Sequence, residues 1–406
     1  MSRREAPAPW VLVAGGFHRK GGMDKANLAL AEYLVELKKP VHIVCHSLDL
    51  EFSRHPLVTT HRVPRPAGSF LLGEPLLDLC GRVVARRITR QFPGASVVVN
   101  GGNCIWPAIN WVHYVHHAWR PTGRAGPVWF RMKNAASEWL IRKREKLALR
   151  KARLLISNSN LTTRHIVEHF EIDPRRIRTV YLGAESEWGP VTPQDRASSR
   201  SSLGVPESRP LALFVGGLGY DQRKGFDVLF TSWRELCSRP DWDVDLLVAG
   251  SGSAMGMWQE KISQSGLANR IRLLGFSQQV QSLLAAADLL ISPTRYEAYG
   301  LNVQEAICRG VPAMVSASAG VAERYGPEFA PMLLPDSEDA GDMVNRLLAW
   351  RQFKEEWLAR FQPFSDTLRK KSWRDMAVEI VSLVQQQENG PAQIAFMTNL
   401  STAGQR

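Results

Sequence analysis

The chain has 406 residues, of which 44% are hydrophobic and 22% charged, a globular composition that leaves no need for disorder or a fibrous repeat. At roughly 150 residues per domain, this length predicts two to three domains. The net charge of +12 favours phosphorylated or other anionic partners. Because no recognition helix, zinc finger or aromatic RNA-binding pattern accompanies that charge, we predict no nucleic-acid partner.

The first residues are basic, but the apolar run Trp10 to Gly15 is short and is followed by His18, Arg19 and Lys20. This pattern predicts a buried strand rather than a signal peptide. No stretch reaches the roughly 18 to 20 apolar residues that span a bilayer. The five cysteines are scattered without a CxxC pair, which is typical of reduced thiols. We therefore predict a cytoplasmic location, with the inner face of the membrane as the alternative.

Short apolar runs rich in β-branched residues alternate with helical patterns, which predicts βαβ units and parallel sheets. Two of the predicted strands, one in each half of the chain, end in a glycine pair, Gly15-Gly16 and Gly216-Gly217. The fold class predicted is α/β, with two Rossmann-like doubly wound domains in tandem and a cleft between them. The predicted strands are Val11 to Ala14, Val41 to Cys45, Ser96 to Val99, Leu154 to Ser157, Leu211 to Val215, Asp245 to Ala249, Ile271 to Leu274, Leu289 to Ser292 and Pro312 to Val315.

The domain boundaries follow from composition. A stretch rich in Pro, Ser, Gly and charge, without periodicity, predicts a linker over 189–209 between an N-terminal domain at 1–188 and a C-terminal domain at 210–370. A helical pattern predicts a C-terminal helix over 371–388. The polar remainder, 389–406, predicts a disordered tail.

A basic run from Arg131 to Arg153 contains nine Lys or Arg and only two acids, with apolar residues at roughly helical spacing. A basic amphipathic helix of this kind can rest on an anionic membrane, close to a lipid-linked acceptor. A helix packed on the N-terminal sheet with a solvated basic face explains the same pattern, and the sequence favours this second interpretation.

The segment from Phe214 to Asp227 contains several glycines and then the adjacent cations Arg223 and Lys224. Glycines allow a ligand to approach the backbone, and paired cations can neutralise a pyrophosphate and the charge that grows on it as a leaving group. A solvated turn before a helix is the simpler explanation of the cations taken alone. Because the paired cations would make a divalent metal unnecessary, we predict that no metal or other cofactor is required.

The segment from Ser292 to Pro312 follows a predicted strand, turns at Gly300 and opens a short helix at Leu301 that Gly310 and Pro312 end. The free N–H groups of that helix start form a natural pyrophosphate site. Glu297 precedes the site and Glu305 lies about one turn inside the helix. Carboxylates there suit hydrogen bonds from sugar and ribose hydroxyls.

The segments Val215-Gly-Gly-Leu…Arg223-Lys-Gly-Phe-Asp227, Leu247-Val-Ala-Gly-Ser-Gly252, Ile271-Arg-Leu-Leu-Gly275-Phe and Glu297-x7-Glu305-Ala…Gly310-Val-Pro312 occur in the order of a known family. Together they resemble the donor-binding domain of the retaining GT-B glycosyltransferases, glycosyltransferase family four. The glycine loop and helix at Lys20 to Leu34 resemble the first loop of that family more loosely. The resemblance implies a nucleotide-sugar donor, transfer with retained anomeric configuration, and no catalytic metal.

The resemblance also implies residue roles. Lys224 matches the family's cation on the leaving phosphates. Arg223 is a substitute for an arginine that the family places directly after Val-Gly, where this chain has Gly217. Glu297 matches the glutamate on the donor sugar and Glu305 the glutamate on the ribose. Gly22 would touch the donor phosphate, and the remaining donor-binding candidates are Gly217, Gly275, Phe276, Tyr299, Gly300 and Leu301.

On the acceptor side, the family often has a histidine in the region after the loop that begins at Asn100. His116 is the first candidate for the catalytic histidine, and His113 and His117 complete the acceptor-side set with Asn100. A core or surface histidine is the alternative for each of the three. Their imidazoles could orient an acceptor hydroxyl or accept its proton.

The sequence therefore predicts a retaining hexosyltransferase that moves a sugar from a nucleotide-diphosphate donor to a glycan or lipid-linked acceptor in surface polysaccharide or glycoconjugate synthesis. A sugar phosphorylase or a sugar-nucleotide epimerase on the same fold is the runner-up. A non-catalytic protein that binds sugars, nucleotides or nucleic acid through its charge is the third possibility, and the combination of Lys224, Glu297 and Glu305 argues against it.

Overall fold

The computed structural model describes residues 7–120 and 128–403; it leaves the side chains of 129–131, 133, 134 and 389–403 undescribed. The chain divides into two compact units. Unit 1 comprises residues up to 117, 135–183 and the C-terminal segment from 372, and unit 2 comprises 118–134 and 184–371.

Within the described part of unit 1, seven strands form one parallel sheet in the order β5-β3-β1-β6-β7-β8-β9, and β2 pairs separately with β4. Strand β1 is buried along its whole length, as its continuous apolar run predicts for a parallel sheet covered on both faces. The strands are β1 (Trp10–Val13), β2 (Gly16–Phe17), β3 (Val41–Cys45), β4 (Ser47–Leu48), β5 (Val58–Arg62), β6 (Ser96–Asn100), β7 (Ile109–Val112), β8 (Leu154–Ser157) and β9 (Ile177–Thr179).

The first four helices connect these strands. Because crossovers between parallel strands are right-handed, α2 and α3, which both carry the chain in the same direction across the sheet, lie on one face of it. An ion pair of 3.5 Å between Asp78 of α2 and Arg144 of α3 agrees with that placement. The helices are α1 (Gly22–Glu36), α2 (Phe70–Gln91), α3 (Val128–Lys151) and α4 (Asn160–Phe170).

Unit 2 contains a second parallel sheet in the order β12-β11-β10-β13-β14-β15. Its strands are β10 (Leu211–Val215), β11 (Asp245–Ala249), β12 (Ile271–Gly275), β13 (Leu289–Ser292), β14 (Ala313–Ser316) and β15 (Leu333–Leu334). Its helices are α5 (Pro193–Leu203), α6 (Phe226–Cys237), α7 (Met255–Gln264), α8 (Val280–Ala286), α9 (Leu301–Cys308), α10 (Ala340–Gln352) and α11 (Lys354–Arg369).

Each sheet has one position where the strand order reverses. In unit 1 the reversal lies between β1 and β6, and in unit 2 it lies between β10 and β13. Ligands of open α/β sheets bind outside the carboxyl ends of the strands at this switch point. The two predicted doubly wound sheets are therefore present, and each identifies one place where a site belongs.

Two boundaries differ from the sequence prediction. The segment 189–209 is not an irregular linker, because it contains α5 and belongs to unit 2. A capping box between Thr192 and Asp195 begins that helix, with Pro193 at its first position. Its Arg200 is fully buried and donates to Asp288 at 2.7 Å, which ties the helix to the end of α8.

The last helix, α12 (Trp373–Ala403), belongs to unit 1 rather than standing alone. It packs against α1, and Ser96 at the start of β6 donates to Glu388 at 2.7 Å. The helix continues past residue 388, where its end was predicted. Of the tail predicted to be disordered, 389–406, the structure describes only that the helix continues to Ala403; the side chains from 389 and residues 404–406 lie outside the described part.

All five cysteines are free thiols, as predicted. Burial raises the pKa of Cys45, Cys104 and Cys308 to about 12, so these thiols stay protonated and unreactive at neutral pH. Among the residues that the structure describes, every helix falls short of the length and apolarity that a membrane span requires.

Candidate functional site

Glycines occupy the carboxyl ends of β10, β11 and β12. Gly250 has a φ of 153°, and a Cβ there would lie 1.8 Å from the carbonyl oxygen of Gly216. The Gly216 N–H donates to Ala249 and the Gly250 N–H to Gly275, so the three strand ends are held side by side. Gly217 is exposed, Gly275 has a φ of 71°, and Phe276 is 65% exposed beside it. These predicted donor-binding residues thus share one edge of the sheet.

The two cations predicted for the leaving group lie in a turn that we call the cation turn, residues 221–225. The turn packs on the segment after β13, residues 293–300, which we call the glutamate loop. The carbonyl oxygen of Arg223 accepts hydrogen bonds from the Arg295 N–H at 2.9 Å and the Thr294 hydroxyl at 3.0 Å. Gly225 has a φ of 69°, and a Cβ there would lie 1.8 Å from the carbonyl oxygen of Pro293. The two motifs therefore form one structure at the switch point of unit 2.

Lys224 and Glu297 meet where these two segments join. The Lys224 ammonium donates to the Glu297 carboxylate, and the side chains are 19% and 16% exposed. Burial alone would raise the pKa of Glu297, but the charges of Lys224 and Arg223, with the Tyr299 N–H bond, lower it below its usual range. The structure thus pairs the predicted leaving-group cation with the predicted sugar-binding carboxylate, both charged.

The glutamate loop ends at Gly300, whose φ of 111° belongs to the left-handed region and begins α9 at Leu301. A Cβ at Gly300 would lie 2.9 Å from Val321, so a larger residue has no room there. The Tyr299 hydroxyl donates to Gln304, and the Asn302 amide donates to the Val215 carbonyl oxygen at 3.0 Å. Glu305 lies half-buried one turn into α9, as the sequence predicted.

Arg295 supports both segments, although sequence reasoning passed over it. Its side chain is 7% exposed and binds Asp227 through two bonds of 2.7 and 2.8 Å. It also binds the Glu338 carboxylate and donates to the Gln222 carbonyl oxygen at 2.5 Å. Because its partners are 43 to 73 positions away, no local pattern indicates this role. The guanidinium fork fixes the cation turn against the glutamate loop.

The switch point of unit 1 joins the first glycine loop to the loop after β6. The Asn100 amide donates to the Asn27 side-chain oxygen at 2.7 Å, and the Asn27 amide donates to the Gly16 carbonyl oxygen at 3.1 Å. Gly22 is the first residue of α1, after Gly21 with a φ of 107°. Gly22 at the start of α1 and Asn100 at the end of β6 were predicted from different motifs, and this buried chain of amides connects the two elements.

The three predicted histidines have different surroundings. His113 is buried against Trp111, with ring centroids 4.3 Å apart, and burial lowers its pKa to about 3. At neutral pH it is uncharged and a weak base, which is the behaviour of a core histidine. His116 and His117 lie in the short turn after β7 and are partly exposed, with 42% and 23% of their side chains accessible.

A carboxylate that the sequence did not single out holds His116 and His117. Glu145 of α3 is fully buried, and its Oε1 accepts the N–H of His116 at 2.9 Å and lies 3.0 Å from Nδ1 of that ring. Its Oε2 accepts the N–H of His117 at 3.2 Å and lies 2.7 Å from Nδ1. Burial would raise the pKa of Glu145, but the hydrogen bonds from both rings and from the His116 N–H lower it.

Two family models match the chain. Residues 209–350 match the model described as Glycosyl transferases group 1, and residues 20–188 match Glycosyltransferase Family 4. Together the two matches include both switch-point loops of unit 2 and, in unit 1, the start of α1 and the loop after β6.

Curated relatives are similar over part of their length. An uncharacterized glycosyltransferase of Methanocaldococcus jannaschii is 29% identical over 47% of this chain and 48% of its own length. A D-inositol 3-phosphate glycosyltransferase of Corynebacterium diphtheriae is 30% identical over 42% of this chain and 41% of its own. The chain thus spans about half the length of the curated relatives it matches.

Solved structures extend the similarity of fold to nearly the whole chain. WaaG, a glycosyltransferase involved in lipopolysaccharide biosynthesis, has a TM-score of 0.70 at 17% identity and covers 92% of this chain and 99% of its own. Sucrose-phosphate synthase from Thermosynechococcus elongatus has a TM-score of 0.74 at 18% identity, over 93% and 98%. Anabaena HepE in complex with UDP and glucose has a TM-score of 0.67 at 17% identity, over 93% and 99%.

Proposed function

Because the chain belongs to the group 1 and family 4 glycosyltransferases with the GT-B fold, we propose that it transfers a sugar from a nucleotide-diphosphate donor to a glycan or lipid-linked acceptor, with retention at the anomeric carbon. The observation that carries the proposal is the joining of the cation turn and the glutamate loop at the switch point of unit 2. The HepE structure, which contains UDP and glucose, supports a nucleotide-sugar donor.

Departure of the nucleotide leaves negative charge on its terminal phosphate. Lys224 and Arg223 lie in one rigid turn, so they can stabilise that charge without rearranging at the moment of reaction. The N–H groups at Gly300 and Leu301, at the start of α9, suit the same diphosphate. We propose that these groups replace a metal ion in assisting the leaving group.

The two glutamates then accept hydrogen bonds from substrate hydroxyl groups and do not act as a general acid and base. Glu297 is kept ionised by Lys224 and Arg223, so it can accept hydrogen bonds but has no proton to donate at neutral pH. We assign Glu297 to the donor sugar and Glu305 to the ribose diol. A pair of glutamates acting as in a glycoside hydrolase would need one carboxyl to be protonated.

The test is nucleotide release from a panel of nucleotide-diphosphate sugars, with and without glycan and lipid-linked acceptors, for the wild type, Lys224→Ala and Glu305→Ala. We expect both variants to lose turnover by about 10²-fold or more while keeping the circular dichroism of the wild type. Lys261→Ala and Glu260→Ala, on α7 of the same unit, are matched controls. Wild-type turnover by Lys224→Ala would contradict the proposal. Release that depends on inorganic phosphate, or conversion of the donor without an acceptor, would instead support a phosphorylase or an epimerase.

We also propose that unit 1 contacts an anionic membrane during this reaction. On α2, Leu72, Leu79 and Val83 are each more than half exposed, and on α3 so are Trp139 and Leu147. On α2 and on the part of α3 whose side chains are described, the exposed charged residues are cations: Arg86, Arg87, Arg90, Lys143, Lys146, Arg150 and Lys151. The carboxylates of α2 and of the described part of α3 are buried or partly buried, and bind neighbouring side chains or backbone.

This combination extends the basic pattern predicted for Arg131 to Arg153 onto a second helix of the same face. Apolar side chains among cations suit the headgroup region of an anionic bilayer. The test is flotation with phosphatidylglycerol or phosphatidylcholine vesicles. We expect binding to phosphatidylglycerol alone, weakened about tenfold or more by Arg86→Glu with Arg90→Glu. The matched control, Arg234→Glu with Lys261→Glu on unit 2, should bind the vesicles normally. An equal loss of binding in both double variants would show that only the net charge of the protein matters.

A further inference from the structure

We propose that Glu145 is a positioning residue that holds His116 and His117 together as Nδ1–H tautomers, so that both rings present the lone pair of Nε2. The carboxylate is divided between two neighbours: each oxygen accepts the backbone N–H of one histidine and lies within hydrogen-bond distance of Nδ1 of the same ring. An ionised carboxylate can only accept hydrogen bonds. Both Nδ1 atoms must therefore carry the proton, which leaves Nε2 unprotonated in each neutral ring.

The surrounding structure fixes Glu145 itself. The carboxylate is fully buried, so an unpaired charge there would be unfavourable. Glu145 can therefore be ionised only because four donors bind it. A Cβ at Gly102 would lie 3.2 Å from the Glu145 N atom, which shows how closely the loop after β6 packs on this part of α3. Arg142, one turn earlier, donates to the His116 carbonyl oxygen at 3.2 Å. Helix α3 therefore holds the histidine turn at three points.

The consequence concerns the acceptor. A hydroxyl group that reacts with the donor must direct an oxygen lone pair at the anomeric carbon, and accepting its hydrogen bond fixes that direction. A ring in the Nδ1–H tautomer can accept this hydrogen bond at Nε2, whereas a ring in the Nε2–H tautomer can only donate. One buried carboxylate thus sets the polarity of two neighbouring rings, and His116 and His117 can contact two hydroxyl groups of a carbohydrate acceptor.

The test begins with the wild type, whose ring nitrogens are observed by NMR at pH 9 after selective 15N-histidine labelling. Among the signals of the ten histidines, those of His116 and His117 are assigned through His116→Gln and His117→Gln. We expect both rings as Nδ1–H tautomers. Finding either ring as the Nε2–H tautomer would overturn the inference, and this measurement needs neither turnover nor a Glu145 variant.

The Glu145→Gln variant keeps the shape but replaces one oxygen with an NH2 group, which must donate to one of the rings. We expect one of the two histidines to change to the Nε2–H tautomer. We also expect kcat for transfer to fall about 10²-fold with KM for the donor unchanged. Glu138→Gln, on the same helix and paired with the Arg142 side chain, is the matched control and should change neither property.

The role in acceptor positioning rests on the proposed transferase function, and the readouts separate the two. A tautomer change with unaltered kcat would refute the positioning role. Loss of kcat without a tautomer change would assign Glu145 to structure alone and also refute it. If the wild type released no nucleotide from any donor, the proposed function would fail, while the tautomers would still decide the hydrogen-bond assignment.

Discussion

Replacing Lys224 with alanine should destabilise the protein more than replacing Lys224 and Glu297 together. In the wild type, the Glu297 carboxylate is 16% exposed and paired with Lys224. Removing one member of a fully buried ion pair costs about 3–5 kcal/mol, because a buried charge is left without its partner. The partial exposure of this pair and the nearby charge of Arg223 reduce that cost, so we expect about 2 kcal/mol for Lys224→Ala and about 1 kcal/mol or less for Lys224→Ala with Glu297→Gln.

The pH dependence gives the same comparison a second, independent check. In the wild type the pKa of Glu297 is below its usual value, so its pairing stabilises the fold at neutral pH and the effect is lost as the pH falls through that lowered pKa. Without Lys224, Arg223 is the remaining nearby cation that opposes the effect of burial, so the pKa of Glu297 rises. The deficit of Lys224→Ala should then be largest at pH 7 to 8 and shrink as the pH falls towards the ordinary glutamate value of about 4.3.

Equilibrium urea unfolding of the wild type, both single variants and the double variant, at pH 7.5 and pH 5, measures these differences. Glu297→Gln should cost less than Lys224→Ala, since the glutamine amide oxygen can still accept a hydrogen bond from the Lys224 ammonium. A double variant as unstable as Lys224→Ala would refute the reasoning. So would a deficit that does not change with pH.

Three further outcomes are expected. Arg295→Lys keeps the charge but loses the bidentate contact with Asp227, so KM for the donor should rise about tenfold in nucleotide-release assays. An unchanged KM would show that Arg295 does not support the cation turn. Gly225→Ala places a Cβ against the Pro293 carbonyl oxygen and should lower the free energy of unfolding by more than about 1 kcal/mol, whereas Gly256→Ala, with open space around it, should not. Burial lowers the pKa of His113 to about 3, so as the pH decreases the unfolded state binds a proton that the folded state does not. The free energy of unfolding therefore decreases as the pH is lowered. Between pH 7 and pH 5 the wild type should lose about 2 kcal/mol of unfolding free energy by this route, and His113→Leu should not. Equal pH sensitivity of the two proteins would show that His113 is not buried as a neutral ring.

The strands and the site of unit 2 were predictable because each is encoded locally. Apolar runs such as Leu289 to Ser292 form buried parallel strands, and positive φ angles at Gly225 and Gly300 occur where the motifs contain glycine. Helix α5 was also encoded locally, in the Thr192-Pro-Gln-Asp195 capping box. Its Ser-rich composition concealed it, because Ser is typical of loops as well as of helix starts.

The supporting residues were not predictable, because their roles depend on distant partners. Glu145 lies 28 and 29 positions from the two histidines it binds, in a run whose many cations suggest only a charged surface. Arg295 falls inside the glutamate motif, but nothing local distinguishes a buried arginine from a solvated one. Strand β7 (Ile109–Val112) was missed for a related reason: its buried Asn110 and the polar residues after it interrupt the apolar pattern.

The assignment of α12 to unit 1 affects how the chain folds as it is synthesised. Apart from residues 118–134, unit 2 is one continuous segment, 184–371, so its sheet can form as soon as that segment has left the ribosome. Unit 1 must wait, because the helix that packs on α1 and the Glu388 that binds β6 are made after unit 2. Unit 1 is thus completed after unit 2, and a chain that stops at residue 371 would leave an apolar face of α1 without its cover.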